Sequence, residues 1–266
     1  DEFEILSGYF NHRTTGAPLT CVIWNQDPKS EDYDEIKGII RPGHADYTAK
    51  IKYSGFNDYR GGGHFSGRLT APLVLAGAIA KQILQIRNVT IGSHILSIGE
   101  IKGESFNPVQ IEPNILQQLT EQKFPTLDQE LATVMKEKLA KVRKEQDSVG
   151  GVVETAIVGL PAGLGSPFFD SMESKLAHLL FSIPAVKGVE FGAGFAITQM
   201  QGSEANDEFA LHGDRVVTVT NHSGGIQGGI TNGMPVLFRT AFKPTPSIAK
   251  NQKTVDLEKM EELEIS

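Results

Sequence analysis

An α+β fold, with helices packed on antiparallel sheets, is what this sequence predicts, and three observations predict it. Residues 19–24, 89–101, 152–158, 189–197, 216–220 and 236–242 alternate with period two or form short β-branched runs, so they read as strands. Glycine-rich turns separate these tracts, and the helical patterns between them are too few for strict strand–helix–strand alternation. A helix ending at Leu84 leads to a strand with Gly92, and one ending at Phe181 leads to a strand with Gly188 and Gly192. This weak repetition points to an internal duplication inside one compact unit, so a single domain over 1–266 is expected.

The first helix is the longest apolar run, 69–80, broken only by Thr70, Pro72 and Gly77. It falls short of the about 20 residues that span a bilayer, so a core helix with protein on every side is expected and a membrane partner is not. Pro72 fits its first turn behind a Thr70 cap. In the second helix, Leu127, Leu131, Val134, Met135, Leu139 and Val142 form one stripe, with Thr126 and Gln129 as a capping box. The third begins at Ser166 with Pro167 at its first position and carries Met172, Leu176, Leu179 and Leu180 on one face. Cys21 and Trp24 are assigned to the core, and the acidic loops 25–36 and 201–208 to solvated surface.

Composition bounds the function. A chain of 266 residues that is 39% hydrophobic buries a core without metal or disulfide staples. The net charge of −7 excludes a nucleic acid wrapped over the whole surface while leaving room for a local basic pocket. The single cysteine, Cys21, permits no internal disulfide and suits a reducing, cytoplasmic setting. The chain opens at Asp1 in a strand-like stretch without a leader, and a preceding segment is expected to have been removed. Several motifs are missing: no Walker sequence, no complete G-x-G-x-x-G after a strand and no G-x-S-x-G elbow, since Ser66 falls one place late. The 7 histidines form no H-x-x-x-H pair, so no dedicated metal site is expected.

What remains is glycine beside cations. In 58–68, Gly61, Gly62 and Gly63 between Arg60 and Arg68 suit an anion held by backbone N–H groups and forked guanidinium bonds. In 41–46, His44 between Arg41 and Asp46 suits acid–base work near neutral pH. The glycine pairs of 223–230 suit backbone laid against a flat ring or a phosphate, and 243–247 joins Lys243 to two hydroxyls in a stiff turn. Residues 159–167 and 184–190 flank the third helix. Alone, each segment reads equally as a structural turn, bulge or loop.

In this order, however, the segments resemble chorismate synthases. The matching words are Arg-Pro-Gly-His-Ala-Asp (41–46), Asp-Tyr-Arg-Gly-Gly-Gly (58–63) with Ser66 and Arg68, and Gly-Leu-Pro-Ala-Gly-Leu-Gly (159–165). They continue with Ala-Val-Lys-Gly-Val-Glu (185–190), Gly-Gly-Ile-x-Gly-Gly-Ile (224–230) and Lys-Pro-Thr-x-Ser-Ile (243–248). The resemblance implies a β-α-β sandwich and a cytoplasmic homotetramer of aromatic amino-acid biosynthesis. Its reaction is the anti 1,4-elimination of phosphate from 5-enolpyruvylshikimate 3-phosphate, giving chorismate with no net redox change but requiring reduced FMN, with NADPH as a candidate reductant of the flavin.

Carried over by position, the resemblance implies that Arg41 and Arg68, with Arg60 a weaker candidate, bind substrate anions, and that His44 is a catalytic histidine. His64, Phe65 and Ser66 stand where many members carry an FMN-contacting Arg-Ser-Ser, and Pro184 stands where an asparagine is common before Ala185. Gly228, Lys243, Pro244, Thr245, Pro246 and Ser247 match further FMN-binding positions, with Pro246 replacing a serine. The family's Gly-Glu-Ser-His-Gly and Arg-His-Asp-Pro motifs do not occur in this sequence, and members extend beyond both of its ends. The chain is therefore expected to be a central body truncated at both ends. The competing expectation is a non-catalytic flavin- or anion-binding or assembly module of the same fold.

Overall fold

The computed structural model describes residues 2–26, 38–58 and 60–266. Two compact units divide the chain, Asp1–Ala80 with Lys250–Ser266, and Lys81–Ala249. The first unit opens with β1 (Glu4–Ser7), then β2 (Tyr9–Phe10) and β3 (Arg13–Thr14), a hairpin whose turn residues Asn11 and His12 take positive φ, and β4 (Thr20–Val22), which returns antiparallel to β1. Helix α1 (Asp46–Lys52) and α2 (Thr70–Ile86) follow, joined by a 3₁₀ turn over Arg60–Phe65. The unit's closing residues form an antiparallel pair, β14 (Gln252–Asp256) with β15 (Glu261–Ile265). The loop acids Asp27, Glu31, Asp32, Asp34 and Glu35 lie outside the described residues.

The second unit is built on β5 (Thr90–Ile98), β6 (Ile101–Lys102), β7 (Gly151–Val158), β8 (Val186–Phe191) and β13 (Val236–Phe242), ordered β6-β5-β7-β13-β8 with every neighbouring pair antiparallel; between β8 and β13 come two antiparallel pairs, β9 (Phe209–His212) with β10 (Arg215–Thr218) and β11 (Ile226–Gln227) with β12 (Ile230–Thr231). Helices α3 (Pro113–Glu121), α4 (Gln129–Lys144), α5 (Met172–Leu180) and the single turn α6 (Gly202–Ala205) belong to this unit and precede or follow its strands. Alternation along β7 and β13 sends side chains to opposite faces. Ala156, Val158 and Leu237 join Leu116 and Leu119 of α3 on one face, while Ile157, Val236 and Phe238 join Met172, Leu176 and Leu180 of α5 on the other. The expected α+β class holds, and β5 and β8, the strands of the weak repeat, take equivalent places flanking the central β7–β13 pair.

Several local expectations fail for identifiable reasons. None of the residues of α2 is buried, and Leu73, Val74, Ile83 and Ile86 are exposed, so the helix is not surrounded by protein within this chain. With its 3₁₀ lead-in it runs Gly67–Ile86, 20 residues, which by length and composition alone is enough to cross a membrane. Its cap is Ser66, whose Oγ accepts the Arg68 N–H, while the Thr70 hydroxyl donates back to the Gly67 carbonyl. Asp128 caps α4 through the Glu130 and Leu131 N–H groups, displacing the Thr126 box, because the Thr126 hydroxyl donates to the Asp128 carbonyl.

Helix α5 starts six residues after Ser166, since Pro167 is extended and Phe168 has φ of 62°. The strand expected over 189–197 ends at Phe191, and a 3₁₀ turn occupies Gly194–Gln199. Trp24 is 62% exposed, outside any core, and Cys21 is half-buried. Helix α3 is not among the elements the sequence predicts; three of its nine residues are apolar side chains, Ile115, Leu116 and Leu119.

One buried polar pair sits under α3. His94 and Glu154 face each other across β5 and β7, with Nε2 3.0 Å from Oε2, and the same oxygen accepts the Phe106 N–H at 2.7 Å. The Phe106 ring meets the His94 ring edge-on at 4.6 Å. Removing the carboxylate leaves a buried amide and imidazole unsatisfied, so Glu154→Ala should lower unfolding free energy by about 2–4 kcal/mol. Denaturant unfolding checks this, with an unchanged midpoint as the contrary result.

Candidate active site

In the first unit the residues of 41–46 wrap onto the start of α1. Asp46, the first residue of that helix, accepts the Arg41 amide at 2.9 Å and the Nε and Nη2 groups along one edge of its guanidinium, each at 2.8 Å. Burial alone would raise the Asp46 pKa, but the side-chain and backbone bonds from Arg41 outweigh it and hold the carboxyl below the ordinary aspartate value. His44 Nδ1 lies 3.1 Å from the Pro42 carbonyl, and a proton on Nδ1 is donated there, so the imidazolium carries its second proton on Nε2.

The end of α1 meets the glycine turn, with the Tyr53 and Phe65 rings 6.4 Å apart and tilted. Gly62 and Gly63 take φ of 79° and 49°, and a Cβ on Gly63 would stand 2.7 Å from the Asp58 carbonyl oxygen, so the triplet makes a turn that side chains do not tolerate. His64, Phe65 and Arg68 are exposed, and the Ser66 hydroxyl serves as the cap. The backbone of Arg60 opens the 3₁₀ turn, and its side chain is outside the described residues.

In the second unit the last rungs of the sheet join two of the predicted segments. Strand β8 pairs with β13 through Ala241↔Gly188 and, after a bulge at Lys187, Phe242↔Val186. Just past that bulge the Lys243 N–H donates to the Ala185 carbonyl at 2.9 Å, so two segments nearly sixty residues apart in sequence form one turn. Ala185 sits at φ of 71°, a conformation that a side chain larger than glycine's occupies only under constraint, and the ladder beside it supplies the constraint. Pro244, Thr245 and Ser247 are exposed, Pro246 is half-buried, and no protein group within hydrogen-bond reach engages the Thr245 hydroxyl among the described residues.

Gly228 lies in a different hairpin. Gly228 and Gly229, φ 61° and 81°, form the two-residue turn between β11 (Ile226–Gln227) and β12 (Ile230–Thr231), the conformation that fits the twist of a tight hairpin. This glycine pair is thus a hairpin turn and not the strand bulge that stood as the structural alternative. Gly229 backs onto the start of α5, where its carbonyl accepts the Met172 N–H and a Cβ would stand 2.7 Å from Ser171 Cβ, whereas the Cβ direction of Gly228 opens to empty space.

Polar groups that the sequence hid hold these glycines. Asp207, assigned to solvated surface, is 6% exposed, and its carboxylate accepts the His222 and Ser223 N–H groups and the Thr220 hydroxyl. Asn221 accepts the Gly225 N–H and donates to the Pro108 and Pro235 carbonyls. Arg239 pairs with Glu190 at 2.8 Å and donates to the Gly192 carbonyl at 2.6 Å, bracing the turn after β8. No local signal marks any of them, because apart from Gly225 their partners lie far along the chain.

A family model described as chorismate synthase matches residues 1–266. The chorismate synthase of Thermococcus gammatolerans is 51% identical over 265 residues, which is 100% of this chain and 72% of that protein. Those of Thermococcus kodakarensis and Methanosarcina mazei are 48% and 45% identical, over 99% and 100% of this chain and 72% of each relative. A crystal structure of chorismate synthase superposes with a TM-score of 0.76 at 30% identity, covering 92% of this chain and 72% of that one.

For Asp207, burial alone would raise the pKa, but the N–H bonds from Ser223 and His222 and the hydroxyl bonds outweigh it, leaving the carboxyl below the ordinary aspartate value. The carboxylate therefore stabilises the fold above the unfolded-state pKa of about 3.9, and this stabilisation fades as pH falls through the lower folded value. Asp207→Asn should cost about 1–3 kcal/mol at neutral pH, and the gap from the parent should narrow below about pH 4. Denaturant unfolding across that range measures it; a gap that does not change with pH would refute the assignment.

Proposed function

This chain belongs to the chorismate synthase family, and we propose from that premise how its residues carry out the reaction. It is a lyase of aromatic biosynthesis that eliminates phosphate from 5-enolpyruvylshikimate 3-phosphate to give chorismate. A non-catalytic module is not favoured. In our reading the whole of 1–266 is one chorismate synthase-like domain, cytoplasmic, assembled as a homotetramer, with no nucleic-acid or membrane partner. The uncovered apolar side chains of α2 support the assembly, since contact with further protein removes them from water.

The substrate carries two carboxylates and a phosphate, so forked cations suit it even in a protein of charge −7. Arg41 and Arg68 are the ligands we propose, with Arg60 contributing less. Asp46 fixes how the Arg41 guanidinium is presented. His44 holds the mobile proton on Nε2, and the Pro42 carbonyl fixes its tautomer and ring orientation.

Reduced FMN fits the second group of residues. The turn in which Ala185 and Lys243 meet carries this reading: it sets a cation, the Thr245 hydroxyl and the neighbouring Ser247 beside the positive-φ backbone of Ala185, as suits an anionic flavin. Pro184, Ala185, Lys243, Pro244, Thr245, Pro246 and Ser247 hold it in our reading, Gly228 gives it an open backbone surface, and His64, Phe65 and Ser66 add contacts from the glycine turn. When bound, reduced flavin would supply an electron-rich ring to the elimination. NADPH is the reductant we propose for keeping the flavin reduced.

Incubated without air with reduced FMN and 5-enolpyruvylshikimate 3-phosphate, the protein should release phosphate and form chorismate in equal amounts; no release under these conditions would sink the proposal. His44→Ala should still bind reduced FMN while turnover falls about 10²- to 10⁴-fold, as loss of a general acid does. Turnover equal to the parent's would remove His44 from the chemistry.

A further inference from the structure

We propose that Ser148 is a positioning residue for the flavin site, holding the backbone of Thr245 so that the Thr245 hydroxyl and N–H face the cofactor; this rests on the reading that 243–247 binds flavin. The segment Lys243-Pro244-Thr245-Pro246-Ser247 has N–H groups only at Lys243, Thr245 and Ser247, because its prolines have none. The Lys243 N–H is held by Ala185. The middle of the loop is held from outside: the Ser148 hydroxyl donates to the Thr245 carbonyl at 2.7 Å, across 97 residues of sequence.

The surrounding segment is built for that contact. Gly151 pairs with Phe242 at the end of the β7–β13 ladder, and a Cβ on Gly150 would collide with the Phe242 carbonyl and stand 3.1 Å from Pro244 Cδ. The Ser148 N–H is tied to Asp147 Oδ1 at 2.8 Å, and the Ala249 N–H donates to the Gln146 carbonyl at 3.2 Å, so residues 146–150 lie along the loop from end to end. A lone hydroxyl–carbonyl bond near the surface contributes little to global stability. Its consequence is local, since it fixes the one peptide between two prolines whose side chain has an uncommitted hydroxyl.

Ser148→Val and Ser148→Thr test this, because they share a shape and differ in the hydroxyl. Reduced FMN is titrated without air into each variant and the parent, followed by the near-ultraviolet absorption band of the reduced flavin and by quenching of protein fluorescence, and thermal unfolding is recorded without flavin. Ser148→Val should bind about 3- to 10-fold more weakly, the size of one lost hydrogen bond, with its flavin band displaced from the parent's. Ser148→Thr should stay within about twofold of the parent, and the flavin-free midpoints should coincide. Parent-like binding by Ser148→Val, or binding by Ser148→Thr as weak as that of Ser148→Val, would overturn the proposal. If Ser148→Val does not fold, Ser148→Ala is judged by the same criteria. A parent that binds no reduced FMN removes the flavin reading itself, a result distinct from a parent that binds and a variant that matches it.

Discussion

The pairing of β7 with β13 is the constraint on which the second unit depends. From Val236↔Ile157 to Phe242↔Gly151 the register runs without a bulge, and it decides three things together. It sets which side chains enter which core face, because a slip of one residue would send Leu237 and Ala156 to the opposite side. It places Glu154 on the α3 face, where the neighbouring β5–β7 pairing sets it opposite His94. Beyond its last rung it delivers Ser148 and Gly150, just before β7, and Lys243, just after β13, to the same end of the sheet, where the residue before β8 is Ala185. The flavin-binding turn proposed above is thus the continuation of a hydrogen-bonded ladder. A backbone as tight as that at Ala185 persists there because the rungs before it are already fixed.

Glycine supplies the close approaches, and buried acceptors make them rigid. The stretch Ser223–Ile230 would be a floppy tract if its N–H groups were left to water. Asp207 takes those of His222 and Ser223, and Asn221 takes that of Gly225, which converts flexible backbone into a defined turn. In the first unit Asp46 does comparable work on the Arg41 backbone and guanidinium at once. An acidic protein can therefore present cations to an anionic substrate, because several of its carboxylates are engaged in orienting nearby cations and amides and do not stand as a repulsive surface field.

Legibility in the sequence followed the range of the interaction. The strands over 152–158 and 236–242 were readable from β-branching and bounding glycines, and Met135 and Val142 from helical spacing, because these patterns complete themselves within a dozen residues. Helix starts were read poorly. Ser166 and Pro167 carry the right chemistry for a cap, yet Ser171 caps α5, since the chain first turns at Gly165 to lay Gly229 against the helix start. Trp24 was placed inside by residue type alone and lies outside, because hydrophobicity says what burial favours and not which surface is available to cover it.

Order and spacing of short motifs were enough to identify the family, the reaction and the α+β class, because local chemistry at Arg41, His44, the 61–63 glycines and 243–247 survives as a string of letters. The tertiary structure alone decided that Ala185 meets Lys243, that Ser148 reaches Thr245, that Asp207 is buried and that His94 opposes Glu154. Each of these joins residues that have no relation in the sequence until a strand register or a turn brings them together, and the free energy that selects the register comes from burying whole sheet faces.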